Sequence, residues 1–129
     1  MCGIAGIIKK QNSRIEKEEI RKMNDVMAHR GPDSEGIYID DGIGLGHRRL
    51  SIVDLSDGGR QPMVSFDQRF ILVFNGEIYN YIELKDALQK EGAVFYTSTD
   101  TEVIIEAYRY WGKECTRYFN GMWSLVLYD

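Results

Sequence analysis

The chain contains Phe70-Ile71-Leu72-Val73-Phe74, a run of apolar residues with no polar residue inside it. A second segment, Met122-Trp123-Ser124-Leu125-Val126-Leu127, is almost as apolar and does not alternate either. A strand that is apolar on both sides must be covered on both faces of its sheet. The amphipathic helices of the chain suffice for one face only, so a second sheet is the expected cover of the other. Since hairpin signals favour antiparallel pairing, the sequence predicts an α+β fold, a four-layer αββα sandwich with two antiparallel sheets.

The other elements are predicted from apolar periodicity and from capping and turn residues. A helix is expected over residues 14–29 with Ser13 as its cap. An Asp40-Asp41-Gly42 connection predicts a hairpin between strands at residues 35–39 and 43–47. The further predicted elements are strands over residues 3–8, 69–74 and 121–128, a helix over residues 80–91 with a capping box of Asn80 and Glu83, and a helix over residues 100–112 capped by Asp100.

Length and composition exclude several classes of protein. The 129 residues suffice for one domain at most, and a net charge of −4 argues against nucleic-acid binding. No apolar run reaches the about 18 residues that a membrane span needs. The 2 cysteines are too few for a disulfide framework, so we expect a reducing, cytoplasmic setting. No metal site is predicted, because metal-ligand spacing is lacking among Cys2, His29, His47 and Cys115.

Cys2 is the most unusual candidate for chemistry, because it directly follows the initiator Met1. Removal of Met1 would leave a free α-amine with an unperturbed pKa of about 7.7–8.0, which is a usable base near neutral pH. The amine and the thiol then belong to one residue, so the amine can activate the thiol as a nucleophile without a histidine. The alternative is an incidental cysteine buried at the end of a strand.

Asn75-Gly76 also has two interpretations. Asn-Gly is the leading sequence for a two-residue hairpin turn. The other interpretation is an oxyanion hole, in which the Asn75 side-chain amide and the Gly76 backbone N–H point at one developing negative oxygen.

Two charged residues are candidates for binding an amino acid. Arg49 ends the segment His47-Arg48-Arg49, and arginine is suited to bidentate capture of a carboxylate. Neighbouring residues of a strand face opposite ways, so Arg48 and Arg49 cannot both aim at one site; the alternative is a pair of solvated charges. Asp100 is first of all a helix cap, and it could also hold a substrate ammonium group with the help of Glu77.

Several specific segments occur in a fixed order along the chain. They are Met1-Cys2-Gly3-Ile4-Ala5-Gly6, His29-Arg30-Gly31-Pro32-Asp33, His47-Arg48-Arg49-Leu50-Ser51-Ile52-Val53-Asp54, Phe74-Asn75-Gly76-Glu77-Ile78-Tyr79-Asn80 and Asp100-Thr101-Glu102-Val103. Together they closely resemble the glutaminase domain of glutamine-hydrolysing asparagine synthetases. These enzymes are class II glutamine amidotransferases within the N-terminal-nucleophile hydrolases, whose fold is the same four-layer sandwich. The resemblance covers essentially the whole chain.

The resemblance implies a role for each matching residue. Cys2, exposed by loss of Met1, would attack the side-chain amide of L-glutamine, and the oxyanion hole would be formed by Asn75 and the Gly76 N–H. Arg49 would bind the α-carboxylate of the substrate. The remaining implied substrate-binding groups are Asp100 with Glu77 for the α-ammonium, and the backbone of Leu50, Ile52 and Val53 lining the pocket.

The resemblance also sets expectations about partners, cofactors and extent. In the family, ammonia passes through a tunnel to a C-terminal synthetase domain, where ATP and Mg²⁺ serve the amidation of aspartate; no cofactor is expected in the glutaminase domain. The family's domain continues past the strand at residues 121–128. We therefore expect residues 1–129 to be the N-terminal portion of a single type 2 amidotransferase domain, incomplete at its C-terminus and able to form homo-oligomers through an unpaired edge.

Three alternatives remain open at this stage. The chain could be a non-catalytic or structure-only fragment that retains Met1, or an N-terminal-nucleophile hydrolase acting on another amide. It could also belong to a related synthetase that amidates a different acceptor.

Overall fold

The structure, a computed structural model, describes residues 2–10, 13–51 and 57–129. Short 3-10 helices occupy Asp57–Gly59 and Gly112–Tyr118. The strands are β1 (Gly3–Ile8), β2 (Ser34–Asp40), β3 (Ile43–Arg49), β4 (Met63–Val64), β5 (Ile71–Ile78) and β6 (Gly121–Tyr128), and the helices are α1 (Lys17–Val26), α2 (Tyr81–Lys90) and α3 (Asp100–Trp111).

The described strands form two antiparallel sheets of three strands each, in the orders β1-β3-β2 and β4-β5-β6. In the first sheet, Gly3 pairs with Arg48 and Ser34 pairs with Arg49. The predicted hairpin between β2 and β3 is confirmed, with Gly42 at a φ of 73° in its turn. In the second sheet, β5 pairs with β6 along its whole length.

β5 is covered on both faces, as its apolar sequence predicts. One face contributes Ile71 and Val73 to a core shared with the first sheet, where they pack with Ile43 and Leu45. The other face contributes Phe70, Leu72, Phe74 and Ile78 to a second core, which is completed from α2 and α3 by Leu84, Leu88, Val103, Ile104, Ile105 and Ala107. The order of layers is therefore α1, first sheet, second sheet, and α2 with α3, which confirms the four-layer αββα sandwich.

Helix α1 packs closely on the outer face of the first sheet because glycines line that face. A Cβ at Gly44 would lie 2.9 Å from Ile20 Cγ1, and a Cβ at Gly46 would collide with the amide oxygen of Asn24. Ile20 is fully buried as a result. No helix that the structure describes is long and apolar enough to cross a membrane.

The helix ends differ from the sequence predictions. α1 begins at Lys17, not at residue 14, since Glu16 and Glu19 form a capping box there; the Glu16 N–H donates to Glu19 Oε2 at 2.9 Å. The Asn80 side chain does not cap α2, because it bonds instead to the Tyr118 carbonyl and the Asn120 N–H, both at 2.9 Å.

The cap of α3 is also one residue away from the predicted position. Thr99 Oγ1 accepts the Glu102 N–H at 3.3 Å and caps the helix, so Asp100 is its first residue. Asp100 is thereby available for a tertiary contact.

Candidate active site

Cys2 stands beside the end of β3. The Leu50 N–H donates to Cys2 Sγ at 3.4 Å, and the same sulfur lies 3.7 Å from the Leu50 carbonyl oxygen. The register places Cys2 opposite Arg49, because Gly3 pairs with Arg48. Strand alternation then directs the side chains of Cys2 and Arg49 to the same face, toward the second sheet. Cys2 is half-buried and has no disulfide partner.

The loop between α1 and β2 braces this region. Arg30 Nε donates to the Cys2 carbonyl at 3.2 Å, and the Asp33 N–H donates to the Arg49 carbonyl at 3.0 Å. Asp33 Oδ2 in turn accepts the Ser51 N–H at 2.7 Å. These two positioning residues were missed as site residues by sequence reasoning, although the His-Arg-Gly-Pro-Asp segment that holds them was a recognisable signal.

Arg49 is buried, with 9% of its surface exposed. The Asp57–Gly59 turn lies against it, because a Cβ at Gly59 would collide with the Arg49 guanidinium. Arg48 faces the other way and pairs with Glu35 at 3.5 Å. The prediction that Arg48 and Arg49 face opposite sides of the sheet is confirmed.

Asn75 and Gly76 lie inside β5, so the hairpin interpretation of this dipeptide is wrong. The strand runs on to Ile78, and Asn75 and Gly76 pair with Ser124 and Trp123 of β6. Glycine is required at position 76 because a side chain there would collide with the backbone of Met122 and Trp123.

The alternation of β5 also sets the directions of its groups. Asn75 shares the face of Ile71 and Val73, which is turned toward the first sheet. The Phe74 and Ile78 main chains bond to partners on the edge opposite β6, so the Gly76 N–H between them is directed to that same edge.

His47 and Gln61 both reach the Phe74 peptide groups. The Phe74 N–H donates to Gln61 Oε1 at 2.6 Å, and the Phe74 carbonyl oxygen lies 3.2 Å from His47 Nε2. Burial lowers the pKa of His47 to about 4, and the positive charge of Arg49 adds to this effect. The ring is therefore neutral at pH 7, and Nε2 carries the proton because a carbonyl can only accept.

Asp100 joins the start of α3 to the end of β5 through its Oδ2, which accepts the Ile78 N–H at 3.1 Å. Burial raises the pKa of Asp100 and the nearby charge of Glu77 raises it further, while the Ile78 hydrogen bond acts in the opposite direction. Glu77 itself is exposed.

Hydrogen bonds thus connect the elements that carry the predicted site residues. Cys2 contacts the end of β3, His47 of β3 contacts Phe74 of β5, and Ile78 of β5 contacts Asp100. Ile52 and Val53 lie outside the described residues.

The described part of the chain offers two observations that bear on ligands. No cluster of three or more His, Cys, Asp or Glu side chains suited to a metal ion occurs within residues 2–10, 13–51 and 57–129. A cavity of about 320 Å³ lies between β4 and α3, lined among others by Phe66, Tyr96 and Glu106. Its lining includes none of the predicted site residues that the structure describes.

Sequence comparison matches the whole chain to one family. The profile of the glutamine amidotransferase domain covers residues 1–129. Glutamine-hydrolysing asparagine synthetase 1 of Bacillus subtilis is 41% identical over 132 residues, which cover 100% of this chain and 21% of that protein. Asparagine synthetase B of Escherichia coli is 38% identical, with 100% and 23% covered.

A putative asparagine synthetase 2 of Methanocaldococcus jannaschii is 47% identical over 147 residues, covering 100% of this chain and 28% of that protein. The chain therefore spans less than a third of the length of these curated relatives.

Structure comparison identifies the same fold in a distant protein. Glutamine phosphoribosylpyrophosphate amidotransferase from Bacillus subtilis superposes with a TM-score of 0.77 at 18% identity, covering 96% of this chain and 34% of that one. The N-terminal-nucleophile type of sandwich expected from the resemblance is confirmed at the level of the fold.

Proposed function

The chain belongs to the glutamine amidotransferase domain family, and from this premise we propose that it hydrolyses the side-chain amide of glutamine with Cys2 as the nucleophile. The main support is the Leu50 N–H that donates to Cys2 Sγ, next to the buried Arg49. A hydrogen bond to the sulfur favours the thiolate, and Arg49 is a counter-charge for a substrate carboxylate on the same face.

The first step forms a bond between Cys2 Sγ and the side-chain carbonyl carbon of glutamine. The α-amine of Cys2, freed by loss of Met1, takes the thiol proton. The carbonyl oxygen becomes negative in the tetrahedral intermediate, where the Asn75 amide and the Gly76 N–H donate to it. Among the residues that the structure describes, β4 pairs with β5 only at Ile71 and Leu72 and no strand pairs with Gly76 on that edge, which supports this role.

In the second step the carbon–nitrogen bond breaks, and ammonia leaves with the proton that the Cys2 amine held. A water molecule then adds to the thioester, again through an oxyanion, and the Cys2 amine takes its proton and passes it to the departing sulfur. Breaking the carbon–sulfur bond releases glutamate and restores the thiol.

The α-carboxylate and the α-ammonium group of the substrate are assigned to charged residues on either side of β5. Arg49 binds the α-carboxylate, and Asp100 with Glu77 binds the α-ammonium. The backbone of Leu50, Ile52 and Val53 lines the pocket. An arginine on the face of the nucleophile together with a carboxylate at the end of β5 favours an α-amino acid over another amide, which is the alternative substrate class.

The chain is proposed to act within a longer synthetase. The matched relatives extend well beyond the region shared with it, and they are named glutamine-hydrolysing asparagine synthetases. Residues 1–129 would then supply ammonia as the N-terminal portion of an amidotransferase domain in the cytoplasm. The synthetase part would use ATP and Mg²⁺ to amidate aspartate, with a different carboxylate acceptor as the alternative.

The decisive experiment uses the full-length protein with Cys2→Ala. Glutamate release is expected to fall to background, while synthesis from added ammonia continues. The matched control is Cys115→Ala, because Cys115 is the other free cysteine and is buried in the core formed by β5, α2 and α3. Persistent glutamate release in Cys2→Ala would refute the nucleophile.

Intact-mass measurement on the unmodified protein gives a second test. Loss of Met1 and a single covalent adduct from a glutamine-like alkylating agent are expected. Retained Met1 in a protein that hydrolyses glutamine would refute activation by the α-amine, and retained Met1 in an inactive protein would support the non-catalytic alternative.

A further inference from the structure

Phe74 occupies a special position on the outer edge of β5. β4 has only two residues and pairs with β5 at Leu72 and Ile71, so its main chain stops short of Phe74. Phe74 is buried, with 3% of its surface exposed, and buried backbone groups need partners. Its N–H donates to Gln61 Oε1 at 2.6 Å and its carbonyl faces His47 Nε2 at 3.2 Å. The side chains of Gln61 and His47 therefore supply the hydrogen bonds that a residue of a neighbouring strand would supply within a sheet.

The segment before β4 turns away from the edge of β5 at Gln61 and runs toward the first sheet. Gly36 of β2 packs against the Gln61 carbonyl, and a Cβ at position 36 would collide with it. Had β4 continued in its register, the main chain of residue 61 would have paired with Phe74 and that of Gly59 with Gly76. Gly59 instead lies against the Arg49 guanidinium.

This detour has a consequence for the Gly76 N–H. A β4 that continued to Gly59 would have covered the edge and used that N–H in the sheet ladder. The side chain of Gln61 ends the ladder at Phe74, so the edge beyond it carries the Gly76 N–H and then the Ile78 N–H, which donates to Asp100. The donors proposed for the oxyanion, on Asn75 and Gly76, directly follow Phe74, the residue that Gln61 holds.

We propose that Gln61 is a positioning residue of the oxyanion hole. By accepting the Phe74 N–H, Gln61 holds this part of β5 so that the Asn75 side-chain amide and the Gly76 N–H keep a fixed direction. The inference rests on the proposed function. His47 contacts the Phe74 carbonyl, so the Val73–Phe74 peptide is held by Gln61 and the Phe74–Asn75 peptide by His47. Gln61 touches no reacting atom, and its effect is transmitted through β5.

The test is Gln61→Met in the full-length protein, since methionine has a similar length and cannot accept the Phe74 N–H in a comparable way. Loss of one direct oxyanion donor costs about 10²–10³ in rate, so misdirecting the donors is expected to lower kcat by about tenfold or more. KM for glutamine is expected to stay within about threefold, because Arg49 and Asp100 are unchanged. Gln89→Met on the exposed face of α2 is the matched control and is expected to leave both parameters unchanged.

A second variant and a binding measurement separate positioning from simple loss of structure. Gln61→Asn keeps the amide but shortens its reach by one methylene, and a fall in kcat without a rise in KM is expected again. Calorimetric binding of glutamine is measured in Cys2→Ala with and without Gln61→Met, and equal dissociation constants are expected. A substitution that merely unfolds the site would weaken this binding.

The outcomes distinguish the two proposals. If Cys2→Ala is inactive but both Gln61 variants keep their kcat, or lose glutamine binding in parallel with kcat, the role of Gln61 is overturned. If Cys2→Ala still releases glutamate, the proposed function fails, and the oxyanion role of Gln61 fails with it.

Discussion

The carboxylate of Asp100 accepts the backbone N–H of Ile78 at 3.1 Å, across the gap between the start of α3 and the end of β5. Ile78 is two residues after Gly76, and its N–H is directed to the same edge of β5. One side-chain hydrogen bond therefore places a half-buried carboxylate beside the donors proposed for the oxyanion. Burial raises the pKa of this carboxyl group, yet it must be ionised to attract an ammonium group.

Asp100→Asn is expected to raise KM for glutamine. Asparagine can still accept the Ile78 N–H, so the helix start is preserved, but the charge that would hold the substrate ammonium is gone. Hydrogen bonds to charged groups contribute about 1.5–3 kcal/mol, which corresponds to a rise in KM of roughly 10–100-fold. Steady-state kinetics measure KM, and thermal unfolding serves as the control for an intact fold. An unchanged KM would remove Asp100 from the binding site.

Gly59→Ala is expected to weaken recognition of the substrate carboxylate. The new methyl group would push the Arg49 guanidinium from its place, since its Cβ would collide with that group. We expect KM for glutamine to rise severalfold, measured in the same assay. The rate with 4-aminobutanamide, which lacks the α-carboxylate, is expected to be unaffected.

A matched control for that substitution is Gly6→Ala in β1, where the closest atom to a new Cβ is Leu45 Cδ2 at 3.3 Å. It is expected to leave KM unchanged. If Gly59→Ala lowered turnover of both substrates equally, the effect would be on the fold rather than on Arg49.

The layers of the fold were predictable because the apolar sequence of β5 requires burial of both faces of that strand. The apolar run at residues 70–74 needs cover on both faces, and the two cores on either side of β5 supply it. Such a pattern follows from burial alone and does not depend on knowing which residues meet.

The errors in the sequence predictions have a common physical cause. Asn80 and Asp100 are good capping residues by type, but each side chain bonds to a group far away in the sequence, Asn80 to Tyr118 and Asp100 to Ile78. Asn75-Gly76 is a good turn sequence, but the glycine is needed for the close approach of Trp123 in β6. Local rules consider only neighbours in sequence, and these contacts are set by tertiary packing.

The same reason explains which residues of the candidate site were missed. Arg30, Asp33 and Gln61 act through backbone groups of Cys2, Arg49 and Phe74. The positions of these three residues in the sequence do not reveal which backbone groups they contact. The roles of Cys2, Asn75 and Arg49 in catalysis stay predictions that the experiments above address.

His47→Gln is expected to make the protein less sensitive to acid. Burial lowers the pKa of His47 from 6.5 to about 4, so the unfolded chain binds a proton in this pH range that the folded chain does not. The contribution of His47 to the free energy of unfolding is therefore fully present above pH 6.5 and is lost as the pH drops toward 4, by up to about 3 kcal/mol at 1.36 kcal/mol per pKa unit. Glutamine keeps an N–H donor for the Phe74 carbonyl but does not titrate. Urea unfolding at several pH values between 7.5 and 4 measures the difference between the two proteins, which cancels the carboxylate titrations they share. The unmodified protein should lose more stability than the variant across this interval, and parallel curves would show that His47 is not held neutral by its burial between the sheets.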